Sequence, residues 1–479
     1  MIKALLSLYA PHYPTTLIYM LQNTEYQAAP YLAWYWRTQD FSNVEHRRQL
    51  QPTRAARLLL LALRLGMLLQ IALGLSFIYM WLRYSWTGFW GFGLALVIAY
   101  PVVWAHLIVV PLVLARVLIV TPRDYFRVKA SEQIFREHPG EKIAIAGSYG
   151  KTSMKELLLA VLGEGKKVAA TPANKNVAVS HAAFARRLKG DEDILIIEYG
   201  EGRPGDVAKF ARTTHPTRAV ITGVAAAHLD HYKSTADAGK DIFSVADFVD
   251  AQHVYVNGES QAAAPFVKPG YQAYGHTGVL GWKVSNFEVD ITGLRFTLSK
   301  GSKHMKLRSG LLGRHNIGPL SITAALAAEF GMENEAIVSA IAETAPFEHR
   351  MQPYQLNGAW VIDDTYNGNI EGIRAGTELL KELSAKRKLY VTPGLVDQGA
   401  ETQAVHEEMG RLIAASGADM VVLMQNSVTK YIEAGLKEAK FKGEVMVNSD
   451  PLAFYTNLGQ FIAAGDVVLM QNDWPDNYH

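Results

Sequence analysis

Residues Ile143–Glu156 read IAIAGSYGKTSMKE, an apolar run, a short glycine-bearing loop, then a lysine, two hydroxyls and a helical pattern. Gly147 and Gly150 let the backbone approach phosphate oxygens around Ser148, and amides at a helix start present the positive end of the helix dipole. Lys151 can neutralise β- and γ-phosphate charge, and Thr152 or Ser153 can ligate Mg2+. The spacing is GxxGKTS, and Ile145 stands near the place of the first glycine of the longer phosphate-loop pattern. A strand, this loop and a helix in succession predict a nucleoside triphosphate site, with ATP as the expected ligand.

Outward from the loop, short apolar runs alternate with helical patterns. IAIAG, DILIIEYG and RAVITGV read as buried parallel strands, with Met154–Leu162 and Leu320–Phe330 as helices and a polar hairpin-like stretch near Trp282–Arg308. Beyond Pro346 the alternation restarts with WVIDDTYN, KLYVTPG, MVVLM, EVMVN and DVVLM. The fold class is therefore α/β, a central phosphate-loop domain over residues 121–345 and a Rossmann-like domain over 346–479.

Residues 1–120 differ in kind. The runs 65–82 and 88–115 contain no Asp, Glu, Lys or Arg, and each is long enough for a membrane-spanning helix. The second exceeds the need and is expected to tilt or kink at Pro101 and Pro111. The two spans are expected at about 64–82 and 88–115. Arg47, Arg48, Arg54 and Arg57 precede the hairpin and Arg116, Arg123, Arg127 and Lys129 follow it, while only Arg83 lies between. The positive-inside rule then puts both ends, and all that follows, on the cytoplasmic side of a cell membrane. Trp81, Trp86 and Trp90 near the turn suit an interfacial belt, and no cleavable leader is visible. Residues 1–50, with APYLAWYWRTQDF, suit either the membrane surface or packing on the ligand-binding domain.

A net charge of +2 supplies no broad basic field, so nucleic acid is not an expected partner. No cysteine is present, which excludes disulfides, thiolate nucleophiles and cysteine metal sites. Glu198 ends DILIIEYG, where a strand's carboxyl end lies beside the phosphate loop, and suits Mg2+. His228 in AAAHLDHYKS follows another strand, and Lys240 lies in AGKDIF. Alone, His228 reads more readily as a structural histidine and Lys240 as a solvated helix lysine.

Together the succession GSYGKTSMKE, EYG, HLDHY, GK, GRHNI, HRMQPY and DDTYNGN resembles the Mur ligases, most closely the MurF type, over about residues 140–470. The resemblance implies an ADP-forming carbon–nitrogen ligase of cell-wall peptidoglycan precursor synthesis. In such ligases a carboxylate takes the ATP γ-phosphoryl group, and an amine, an amino acid or dipeptide, displaces phosphate. It implies Lys151 at the transferring phosphoryl group, and Thr152 or Ser153 with Glu198 on one Mg2+. His228 and a carbamylated Lys240 fall to a second metal. Asn174, Asn176 and His406 match a substrate side. His315 and Asn316 match adenine contacts, Arg350 the entry to the last domain, Asp364 a ribose contact, and Tyr366 and Asn367 the nucleotide's surroundings.

Two departures stand out. A membrane hairpin replaces the soluble domain that holds a uridine nucleotide in MurF-type enzymes, so a lipid-linked carboxylate competes with a small-molecule one. Gln471 and Asp473, in MQNDWPDNYH, stand where that type has a basic stretch for the incoming dipeptide, so a different and cationic amine is expected. The alternatives are a poly-γ-glutamate synthetase-like membrane ligase and a catalytically lapsed nucleotide-binding scaffold.

Overall fold

The computed structural model describes residues 6–472 except 25, 39, 43–49, 86–87, 174, 226–231, 233, 367 and 397. The chain divides into two compact units, Met1–Phe126 and Arg127–His479.

The first unit is helical. Helix α1 (Tyr13–Asn23) and α2 (Ala28–Arg37) precede α3 (Arg54–Tyr84) and α4 (Trp90–Leu107). Helix α5 (Val109–Ala115) and a π turn at Arg116–Val120 lead into α6 (Thr121–Glu137). Among the described residues, two helical stretches, Arg54–Tyr84 and Trp90–Glu137, are long and apolar enough to cross a membrane. Both exceed the uncharged runs, taking in Arg54, Arg57 and Arg64 before the first and Arg116, Arg123 and Arg127 after the second. Pro101 is accommodated inside α4. Pro111 cannot donate to the Leu107 carbonyl, and the helix is interrupted at Ile108.

Small residues let α3 and α4 touch. A Cβ at Gly74 would meet the Gly93 carbonyl oxygen at 2.8 Å, and one at Gly93 would meet that of Gly74 at 2.7 Å. Gly66 leaves room for the Trp104 indole, and Gln70 Nε2 donates to the Leu96 carbonyl at 3.0 Å. Leu58, Leu61, Leu65, Leu68 and Leu69 of α3 are exposed, far more apolar surface than a water-facing helix carries. The aromatic segment packs on α4, where Tyr31 and Tyr13 hydroxyls donate to the Ala105 and Pro101 carbonyls at 3.1 and 3.2 Å.

The described residues of the second unit form three sheets. The first is parallel, in the order β2-β3-β1-β4-β5-β6. Its strands are β1 (Glu141–Ala146), β2 (Val168–Ala170), β3 (Ile194–Glu198), β4 (Arg218–Ile221), β5 (Val254–Asn257) and β6 (Gln272–Tyr274). Helices α7 (Lys151–Gly163), α8 (Ala178–Ala185), α9 (Asp206–Thr214) and α10 (Thr235–Phe243) connect them. Ile143, Ile145, Ile194, Ile196 and Val220 bury one face of this sheet against Leu158 and Leu162 of α7, and Ala144, Leu195, Ile197 and Ile221 bury the other. Both faces are covered, which is why these strands read as unbroken apolar runs.

The hairpin-like stretch is a small antiparallel sheet of β7 (Gly278–Val279), β8 (Trp282–Asp290), β9 (Gly293–Lys300) and β10 (Lys303–Ser309). Helices α11 (Ile317–Glu329) and α12 (Asn334–Ala342) follow. The third sheet runs β11-β12-β16-β13-β14-β15, parallel except for the β11–β12 edge. Its strands are β11 (Gln352–Leu356), β12 (Ala359–Asp364), β13 (Arg387–Thr392), β14 (Met420–Met424), β15 (Glu444–Asn448) and β16 (Asp466–Gln471). Helices α13 (Ile370–Glu382), α14 (Thr402–Ala415) and α15 (Thr429–Glu438) lie among them.

Candidate active site

The loop between β1 and α7 is fixed by the end of β4. Gly147 has φ +146°, and a Cβ there would meet Thr222 Oγ1 at 2.2 Å. Thr222 Oγ1 in turn donates to the Tyr149 carbonyl, and the Ser148 N–H donates to the Gly223 carbonyl at 2.9 Å. Gly150 adopts φ +70° immediately before the helix, a conformation that costs glycine little. Ile145 lies wholly inside β1.

Glu198 closes β3, the strand beside β1, and is buried. Its Oε1 accepts from Thr152 Oγ1 at 3.1 Å and from Asn176 Nδ2 at 3.2 Å. Its Oε2 has no hydrogen-bond donor, although Lys155 Nζ stands 3.4 Å away. Of the two hydroxyls after Lys151, Thr152 therefore meets the carboxylate, while Ser153 faces the neighbouring cleft. The Glu198 backbone is held on both sides. Its N–H donates to Thr171 Oγ1 at 3.1 Å, and its carbonyl accepts from His181 Nε2 at 2.8 Å. Burial pushes the His181 imidazole down to about 4, so it stays neutral and donates through Nε2.

Lys151 is paired. Its Nζ donates to the Gly147 carbonyl and lies 2.7 Å from Glu201 Oε2, both side chains being largely buried. No motif singles out Glu201 or His181, and Lys155, inside the GSYGKTSMKE stretch, has no role assigned from the sequence. The donors around the loop are all oxygen: Thr152 and Glu198 together, and the buried Ser148 Oγ, Glu198 Oε2 and Glu201 Oε1 without hydrogen-bond partners. That donor set fits a hard divalent cation such as Mg2+.

A cleft of about 430 Å³ opens beside Gly150 and Ser153 and is shared with the third sheet's domain, where His315, Asn316, Arg350, Asp364 and Tyr366 line it. The Arg350 guanidinium lies 4.4 Å from the Tyr366 ring centroid. Asp364 ends β12 and accepts from the Met351 N–H at 3.2 Å and from Gln471 Nε2 at 2.8 Å. Burial pushes its carboxyl up to about 7, against those hydrogen bonds, which lower it. Asn316 Nδ2 lies 3.1 Å from His315 Nε2 and donates to the Leu312 carbonyl at 2.7 Å.

Three further residues have definite surroundings. Lys240 points to solvent, its side chain 72% exposed and its Nζ 3.5 Å from Asp237, because the phase of α10 turns Asp241 inward instead. His228, the expected partner of Lys240 at a second metal, is outside the described residues. His406 is enclosed. Its Nε2 accepts the Leu395 N–H at 3.0 Å, its Nδ1 donates to the Thr402 carbonyl at 2.6 Å, and it locks a turn rather than facing a substrate. Gln471 is likewise buried, accepting from Tyr390 Oη at 2.8 Å and donating to Asp364 and to the Gly372 carbonyl. It positions Asp364 and does not face an acceptor amine. His228, Asn174, Asn367 and Asp473 lie outside the described residues, among which no three acidic or histidine side chains gather around a common point.

A phosphate loop and a strand-end carboxylate on one parallel sheet, with a second α/β domain across a shared cleft, define a two-domain nucleotide-binding protein. Residues 145–328 match the Mur ligase middle domain and residues 349–471 the Mur ligase, glutamate ligase domain. The chain belongs to the Mur ligase family. It is 29% identical over 340 residues to the UDP-N-acetylmuramoyl-tripeptide–D-alanyl-D-alanine ligase of Escherichia coli K12, covering 69% of this chain and 73% of that one. To the ligase of that name from Mycobacterium leprae it is 27% identical, covering 69% and 70%. The fold is similar to MurF from Acinetobacter baumannii, with TM-score 0.64, 19% identity and 73% and 78% coverage. It is also similar to MurF from Thermotoga maritima in complex with ADP, with TM-score 0.63, 19% identity and 73% and 80% coverage.

Proposed function

We propose that the chain is a MurF-like, ADP-forming carbon–nitrogen ligase of peptidoglycan precursor synthesis that works through an acyl phosphate. The observation that carries this is the joining of Thr152 to Glu198 on the phosphate loop, with Asp364 and Arg350 lining the adjacent cleft. The catalytic part comprises residues 121–345 and 346–479, with 1–120 as its membrane-associated region.

A Mg2+ ion held by Thr152 and Glu198 would supply charge neutralisation at the transferring phosphoryl oxygens. Lys151 binds those oxygens, and the amides around Ser148 and Gly150 orient them. His315 and Asn316 take the base, Asp364 the ribose, and Arg350 with Tyr366 the region between. Asn176 holds Glu198 in register and links it to the substrate loop, where Asn174 is a further candidate. His228 is the candidate for a second metal position. The carboxylate oxygen attacks the γ-phosphorus and ADP leaves; the amine then attacks the acyl carbon and phosphate leaves.

The substrates proposed are those in the relatives' names, a UDP-N-acetylmuramoyl-tripeptide and D-alanyl-D-alanine. The apolar helices of residues 54–137 favour a second reading, a carboxylate presented on a lipid at the cytoplasmic face of a cell membrane. Full-length protein in nanodiscs, given ATP and Mg2+, is assayed for ADP and for product mass with the soluble pair and with a lipid extract. Product from the soluble pair supports the first reading, and product from the extract alone supports the second. ATP-dependent product from neither would refute both.

A further inference from the structure

The phosphate-loop lysine meets a carboxylate before any phosphate arrives. Glu201 follows β3 in the turn that leads to α9, and its side chain is 3% exposed. One of its oxygens lies 2.7 Å from Lys151 Nζ, and the other, Oε1, is buried with no hydrogen-bond partner. An incoming phosphate must compete with Glu201 for Lys151. Whichever anion loses is left in a desolvated site beside the other, which is strongly unfavourable.

A divalent cation removes that conflict. It accepts the released carboxylate as a hard oxygen ligand, and the unpartnered oxygens of Ser148 and Glu198 belong to the same loop region. We propose that Glu201 makes nucleotide binding conditional on the metal: it holds Lys151 back from metal-free nucleotide, and turns to the cation, directly or through water, when the two arrive together. This rests on the ATP reading above. Metal and nucleotide are then coupled ligands, each raising the other's affinity by the same factor.

The test is calorimetric titration of full-length protein with ADP, in EDTA and in Mg2+. Glu201→Gln removes the charge and keeps the shape. It is expected to bind metal-free ADP about tenfold more tightly than wild type, with the enhancement by Mg2+ reduced by a similar factor. If Glu201→Gln does not fold, Glu201→Met, apolar and of similar volume, carries the same expectation. Equal or weaker metal-free affinity in a folded variant overturns the role of Glu201 and leaves the ATP reading standing. No ADP binding by wild type in either buffer overturns the ATP reading itself.

Discussion

Replacing Gln471 by Met separates its buried positioning role from a role at the substrate. Met keeps the length and volume, so no cavity opens. Three hydrogen bonds are lost, those with Tyr390 Oη, Asp364 Oδ2 and the Gly372 carbonyl. Tyr390 is fully buried, and its unpaired hydroxyl costs about 1–3 kcal/mol. The bond to the Asp364 carboxylate is worth about 1.5–3 kcal/mol when that group is ionised. The sum is about 2.5–6 kcal/mol, which lowers the Tm of the unit Arg127–His479 by roughly 3–8 °C. The Asp364 carboxyl, already held up to about 7 by burial, rises further once Gln471 no longer stabilises its charge. Thermal unfolding of full-length protein in nanodiscs reads the first effect, and fluorescent ADP binding across pH reads the second. A variant that melts within about 1 °C of wild type, or one altered only in acceptor KM, would refute the positioning role.

Asp364→Asn tests the same carboxyl by pH. Its folded value of about 7 lies above the ordinary 3.8, so the ionised form is the costly one, and that cost grows from about pH 4 until it is complete above about pH 7. The stability of Asp364→Asn relative to wild type should therefore rise between pH 5 and pH 8, measured as the difference in Tm; a flat difference contradicts the shift (pH window from the linkage relation, about one unit either side). His406→Leu removes the hydrogen bonds with the Leu395 N–H and the Thr402 carbonyl and should cost about 1–3 kcal/mol in unfolding free energy while leaving both substrate KM values unchanged in the folded enzyme. Lys240→Gln changes a side chain 72% exposed and should keep turnover within about twofold, at any bicarbonate concentration.

Much of the fold was legible because both faces of the first sheet are buried. IAIAG and DILIIEYG could not serve as amphipathic strands, and their lengths suited no long helix. The loop was legible because Gly147 and Gly150 are needed for its backbone and Lys151 and Thr152 for its charge. Side-chain direction was not. Lys240 and Asp241 are neighbours in sequence, yet one faces water and the other is buried, and only the phase of α10 decides between them. Gln471 reads as an altered substrate contact because it stands where MurF-type ligases have a basic stretch for the incoming dipeptide. It is satisfied by Tyr390 from β13 and Gly372 from α13, residues about 80 and 100 positions away, which no local pattern reveals. Glu201 was illegible for the same reason, since its partner Lys151 is brought near by the parallel pairing of β1 with β3.

The central claim is that the γ-phosphoryl group is spent on activating a carboxylate. It is tested most directly by labelling the carboxylate substrate with 18O and analysing the phosphate released with ATP, Mg2+ and amine. The account predicts one 18O atom in each phosphate, matched by ADP and amide, because the attacking carboxylate oxygen leaves with phosphorus. Phosphate free of 18O, formed with ADP, would mean that water attacks instead and would contradict the account.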